Sequence, residues 1–160
     1  MAASAGLLKR KLVGEVEIRE GAGDIFHDFL ANKPHHLPNV NGDLVQGCEL
    51  HEGAFGTPGS TIEWTYTVDG KRKTIKQKLE VVDEENKVMK FKCIEGELMK
   101  EYNYLIVTFE AVPVSNETSK VIWTFEYEKK EPGLPEPTAE MDALVTLAKE
   151  IDDHHHGIGN

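Results

Sequence analysis

The sequence predicts an α+β protein in which an antiparallel sheet of seven strands is covered by one long helix. Three observations carry this. Seven segments alternate apolar and polar residues with period two. Most of the joints between them are tight turns. One long stretch near the C-terminus instead repeats its apolar residues every three or four positions. The 160 residues suit a single domain, 1–160, with a sizeable core.

Each element follows from its own pattern. Leu8, Leu12, Gly14, Val16 and Ile18 share one parity, and Lys9, Lys11, Glu15 and Glu17 the other, which predicts a half-buried first strand. "DIFHDFLAN" predicts a short helix with Asp24 as N-cap and Ile25, Phe26 and Phe29 on its apolar face. "KPHHLPNV" predicts a Pro-bounded helical turn or loop, the second short element after strand one. Residues 44–51 form the next strand and run into "HEGAFGTPGS". Ile62, Trp64, Tyr66 and Val68 then alternate with threonines and Glu63. "VDGK" predicts a type I′ hairpin, because Asp-Gly tolerates the left-handed backbone that this turn requires. Ile75, Gln77, Leu79 and Val81 are expected inward on the following strand, and "DEENK" turns the chain into Met89, Phe91 and Cys93. Leu105, Val107, Phe109 and Ala111 lead through "PVSNETS" to the last strand, with Val121, Trp123, Phe125 and Tyr127 inward. "EPGLPEP" is a linker. The helix follows from Thr138, with Met141, Leu144, Val145, Ala148 and Ile151 on one stripe. A sheet of seven strands with one apolar face must curl or be covered, and a curl around a helix leaves room for a cavity.

Charge excludes some functions. A formal net charge of −10 opposes general nucleic-acid binding, which needs clustered Lys and Arg, and opposes docking on anionic membranes. No apolar run reaches the length of a membrane span, and the N-terminal stretch lacks a signal-peptide core, so a cytoplasmic protein is expected. The sequon at Asn116 is then idle. Cys48 and Cys93 are expected as free thiols.

The inward face mixes aromatic rings bearing polar tips with a methionine and an amide: Trp64, Tyr66, Gln77, Met89, Phe91, Cys93, Trp123 and Tyr127. Such a set suits an apolar ligand pocket. It equally suits a packed core, since aromatics fill space well.

Other motifs point away from specific chemistry. Gly53, Gly56 and Gly59 are followed by Ser60-Thr61 and a strand, without the Lys and the helix of a phosphate loop. No cofactor is expected. His35, His36 and His51 lack metal-ligand spacing, and His154 to His156 end a helix whose dipole favours cations, so no metal is expected. No nucleophile motif appears. Glu95, Glu97 and Glu101 flank Gly96 and would serve acid–base work only if one were desolvated. Among the central strands, only Tyr, Gln and Cys are expected as polar groups on the inward parity, which favours binding over catalysis.

The stretches "NKPHHLPNV", "HEGAFGTPGS" with "WTYTVDGK", "IEGELMKEYNYL" and "VIWTFEYEKK" run in order through the chain. On these the sequence resembles the major latex protein family, within the birch pollen allergen superfamily of plants. The resemblance implies a helix-grip, START-like fold: a curved seven-stranded sheet around a long C-terminal helix, two short helices after strand one and a large internal apolar cavity. It implies that the protein binds and carries hydrophobic small molecules (plant secondary metabolites, hormones or lipids), linked to defence or stress response. The alternative is an isomerase or cyclase using the same cavity, with Tyr66, His36 or a glutamate as acid or base. Ribonuclease activity, proposed for relatives, ranks third given the net charge. The expected lining is Phe55, Trp64, Tyr66, Gln77, Met89, Phe91, Leu105, Trp123, Phe125, Met141, Leu144, Val145 and Ala148. Gly53, Gly56 and Gly59 are expected to shape an entrance loop at the mouth, stiffened by Thr57-Pro58, with Phe55 as a lid. The expected partner is an apolar small molecule, with no nucleic acid and no stable membrane insertion, bound by a monomer or weak dimer.

Overall fold

A computed structural model describes residues 8–19, 34–115 and 118–155. Seven strands form one antiparallel sheet: β1 (Lys9–Arg19), β2 (Val45–Glu52), β3 (Thr61–Val68), β4 (Lys71–Asp83), β5 (Val88–Gly96), β6 (Tyr102–Pro113) and β7 (Thr118–Lys129). The spatial order is β1-β7-β6-β5-β4-β3-β2, so every neighbour except the β1–β7 pair is a sequential hairpin. "KPHHLPNV" forms a short 3-10 turn at Pro34–Asn39, and a second such turn, Glu97–Lys100, joins β5 to β6. The C-terminal helix runs Thr138–His155. The short helix expected from "DIFHDFLAN" lies outside the described residues.

The period-two reading places the core correctly in most strands. Leu105, Val107, Phe109 and Ala111 of β6 are buried, as are Val121, Trp123, Phe125 and Tyr127 of β7. The β3–β4 turn is tight because Asp69 (φ 54°) and Gly70 (φ 75°) both adopt the left-handed backbone. β4 departs from strict alternation. The β4–β5 register shifts between Leu79 and Val81. The irregularity breaks the alternation, leaving Val81 42% exposed while Val82 packs against the core. Val81, expected inward, is therefore outward.

Two polar clamps hold the helix against the sheet. At its C-terminal end, the Asp152 side chain is fully buried. Its Oδ1 accepts from the backbone N–H of Arg19 at 3.3 Å, and the Arg19 guanidinium donates to Asp153 at 3.0 Å. Before its N-terminus, the linker is fixed by Lys129, which is only 4% exposed. Its ammonium donates to the carbonyl of Leu134 at 3.0 Å and to Glu136 at 2.5 Å. The Tyr127 hydroxyl donates to the other oxygen of Glu136, and Tyr102 donates to the carbonyl of Pro135. Between the clamps the helix crosses β1 where that strand has glycine. A Cβ at Gly14 would lie 2.6 Å from Met141 Sδ and 2.8 Å from Val145 Cγ2.

Candidate functional site

Between the concave side of the sheet and the helix lies a cavity of about 130 Å³. It is of the same order as the roughly 150 Å³ apolar cavity that holds benzene in an engineered protein. Eight of the residues expected at the site line it: Trp64, Tyr66, Gln77, Phe91, Leu105, Trp123, Phe125 and Leu144. Five others lie elsewhere. Met89 and Ala148 are fully buried in packed core, and Met141 and Val145 face Gly14 of β1. Phe55 stacks on the His35 ring, with centroids 4.6 Å apart and planes 12° from parallel.

The helix stripe divides for a geometric reason. Met141 and Val145 lie toward β1, while Glu140, Ala143, Leu144 and Leu147 face the cavity. Those four also recur at spacings of three and four, but Glu140 and Ala143 carry no hydrophobic signal. The sequence pattern therefore selects the side that packs on β1. Leu37, Leu44, Val45, Val68, Ile75, Leu98 and Val107 complete the wall. Of these, Val68, Ile75 and Val107 already carried the inward parity of their strands.

Polar groups in this wall are mostly satisfied internally. Gln77 pairs directly with Cys93 across β4 and β5, and its amide donates to Sγ at 3.4 Å. Its carbonyl accepts from the Trp64 indole at 2.9 Å. Burial pushes the Cys93 thiol up to about 12, against the lowering effect of the Gln77 hydrogen bond. Cys48 is likewise raised to about 12, by burial and then by Glu49. Both cysteines are free. Tyr66 differs. Its hydroxyl is buried and has no hydrogen-bond partner among the described residues. Burial chiefly, then the charge of Glu140, pushes its ionisation upward.

One expectation about this face is corrected. Lys73 shares the parity of Ile75 and Gln77, sits directly opposite Tyr66 in the β3–β4 ladder, and donates to Glu140 at 3.3 Å. A cation and a carboxylate therefore stand beside the cavity. The extra charge was missed because Lys73 precedes the first apolar residue of its strand and Glu140 belongs to a different element.

Glu95, Glu97, Glu49, His51 and Glu63 lie outside the cavity wall. Glu97 accepts from the backbone N–H of Thr74 at 2.9 Å, and hydrogen bonding to that N–H holds its carboxyl low. A general acid at neutral pH needs the opposite shift. Glu95 is exposed and lies 3.5 Å from Lys76. Glu49, His51 and Glu63 converge within 4.8 Å on β2 and β3, and His51 Nε2 lies 3.0 Å from Glu63. Strand register, invisible to spacing along the chain, brings them together. The glycine loop turns at Gly53, Gly56 and Gly59, with φ of 78°, 78° and 90°. It is tied to β4 by Gly59 N–H donating to the carbonyl of Leu79 at 2.7 Å.

A curved antiparallel sheet closing on a C-terminal helix around an apolar void defines a class of small cavity-bearing proteins. The chain belongs to the pathogenesis-related protein Bet v 1 family, whose model matches residues 7–156. It is 39% identical over 153 residues to MLP-like protein 43 of Arabidopsis thaliana, covering 95% of this chain and 96% of that one. The crystal structure of ginseng major latex-like protein 151, from Panax ginseng, superposes with a TM-score of 0.87. It has 35% identity over 92% of this chain and 98% of that chain. A truncated norcoclaurine synthase from Thalictrum flavum shares the fold, with a TM-score of 0.69 at 23% identity over 92% and 93% of the two chains. The fold therefore also houses an enzyme. No described helix is long and apolar enough to cross a membrane.

Proposed function

We propose that the protein binds and carries an apolar small molecule, aromatic or isoprenoid-like, in the cavity between sheet and helix. The void itself carries this reading. Interiors ordinarily pack to crystal density. At roughly 24 cal/mol per Å³ for a closed void, 130 Å³ left empty would cost at most about 3 kcal/mol. That is a substantial fraction of a stability of about 5–15 kcal/mol. A cost of this size is consistent with a space kept for a ligand, with Phe91, Leu105, Trp123 and Phe125 as its apolar contacts. Native mass spectrometry of the protein from its own tissue tests this. A retained small molecule supports it. Only apo protein, together with no saturable uptake of a fluorescent apolar probe, contradicts it.

The glycine loop serves as the lip through which the ligand passes. Gly56→Val should slow exchange, because a β-branched residue resists the positive φ there. Unchanged stopped-flow exchange rates would count against this. The protein acts in the cytoplasm as a monomer or weak dimer. Its family description as pathogenesis-related supports a role in defence or stress, and transcript levels after infection test that role. Tyr66, Lys73 and Glu140 beside the cavity favour one second reading, an isomerase or cyclase. Recovery of the bound molecule chemically unchanged after long incubation would exclude it.

A further inference from the structure

We propose that the open side of β1 pairs with β1 of a second copy of this chain, antiparallel and centred on Val13, so that two sheets join into one. The inference concerns the rim of the sheet and stands whether or not the cavity holds a ligand.

β1 ends the sheet. It pairs with β7 on one side, and among the described residues no strand pairs with its other side. Two hydrogen bonds fix which backbone groups that other side presents. The Arg19 N–H turns away from β7 and donates to Asp152 at 3.3 Å. Thr118, opposite Arg19 in the ladder, turns its carbonyl the other way and accepts from the Val114 N–H at 3.0 Å. Backbone direction alternates along a strand. The N–H and C=O groups of Lys9, Lys11, Val13, Glu15 and Glu17 therefore all point to the open side. The side chains of these residues are exposed as well, Val13 by 49%. Such a row of unpaired donors and acceptors is a template for another strand.

The charges select which strand. Along the exposed side they read Lys, Lys, Val, Glu, Glu. A sequence of this kind is complementary to its own reverse. Antiparallel pairing about a two-fold axis at Val13 sets Lys9 opposite Glu17 of the second copy and Lys11 opposite its Glu15, with the two valines meeting at the axis. Opposite charges facing each other across a strand pair attract, and like charges repel. The nearest alternatives are poorer. Parallel pairing in register sets Lys against Lys and Glu against Glu. Sliding the antiparallel register one way sets Lys9 against Arg19, and sliding it the other way sets Lys11 against Val13. Glu15 Oε2 also lies 3.5 Å from Lys120, which leaves Oε1 for the second copy. A charge guard against pairing needs only one sign, whereas here the two halves of the strand differ in sign. The contact is one strand wide, below a standard stable interface, so the dimer is weak and concentration-dependent.

Sedimentation velocity of the whole chain, from micromolar to millimolar concentration, tests this. The wild type should show a monomer–dimer equilibrium that weakens as salt is raised, because exposed ion pairs are screened. Lys9→Glu combined with Lys11→Glu should dimerise at least about tenfold more weakly, since like charges then face each other. Glu15→Lys combined with Glu17→Lys should do the same. Mixed in equal amounts, these two variants should form a heterodimer, because every facing pair is again opposite in sign. Val13→Pro removes the central N–H of the open side but no bond to β7, so it should lose the dimer and keep the fold, which circular dichroism checks. A wild type that stays monomeric up to millimolar concentration overturns the inference. So does a dimer that survives both charge variants, a mixture that yields no heterodimer, or a folded Val13→Pro that still dimerises. If Val13→Pro fails to fold, the charge variants decide alone, since they alter only exposed side chains.

Discussion

Ala143 and Ala148 lie five residues apart on the same helix, and the same substitution should have opposite consequences at the two. Ala143 lines the cavity, whereas Ala148 is fully buried outside its wall. Replacing either with Leu adds three carbons. At Ala148 these have no space, and overpacking a close-packed interior costs about 1–3 kcal/mol. At Ala143 the carbons enter the void. Burial contributes about 0.8 kcal/mol per carbon, offset by roughly 0.5–1 kcal/mol of lost side-chain freedom. The net is stabilising by up to about 1.9 kcal/mol. Thermal unfolding resolves the two, since 1 kcal/mol moves Tm by about 2–4 °C at this size. Ala148→Leu should lower Tm, and Ala143→Leu should leave it unchanged or raised while weakening uptake of an apolar probe. Equal destabilisation by both would mean that no usable void exists beside Ala143. The reasoning would also fail if Ala148→Leu were tolerated, because the helix would then not pack as described.

Three further outcomes test other parts of the structure. Gly14→Ala should destabilise by about 1–3 kcal/mol in urea unfolding, since its Cβ would collide with Met141 and Val145, and Met141→Ala should recover part of the loss. Hydrogen bonding first to Lys129 and then to the Tyr127 hydroxyl holds the Glu136 carboxyl below its ordinary range. Its contribution is thus fully present above the unfolded glutamate value of about 4.3 and is lost as pH falls through the lower folded value. Urea midpoints against pH should show this acid loss in the wild type and less of it in Glu136→Gln; identical profiles would refute the role. Cys48 and Cys93, with thiols raised to about 12, should react with a disulfide reagent at pH 8 far more slowly in the folded protein than in urea. Rapid native labelling of Cys93 would contradict its burial.

Much of the fold was legible because strands announce themselves locally. Alternation in β6 and β7 identifies the buried side one residue at a time, and Asp69-Gly70 names its own turn. The exceptions come from geometry that one residue cannot signal. The irregular β4–β5 pairing reverses Val81, and nothing in "LEVV" marks the shift. The candidate site was half legible. Strand residues such as Trp64, Phe91 and Trp123 were found by parity alone. Glu140 and Ala143 were missed because the hydrophobic stripe of a helix reports where it packs, and here its strongest part packs on Gly14. Lys73 and Glu140 become partners only once sheet and helix meet.

The central claim is that an apolar molecule sits between sheet and helix, and methyl-resolved NMR during a naphthalene titration tests it most directly. The methyls of Leu105, Val107, Leu144 and Leu147 line the cavity, whereas Val13 and Val114 are about half exposed and lie outside its wall. The account expects saturable shifts, with ligand-to-methyl Overhauser contacts, confined to the first group. No saturable change, or changes centred on Val13 and Val114, would contradict it.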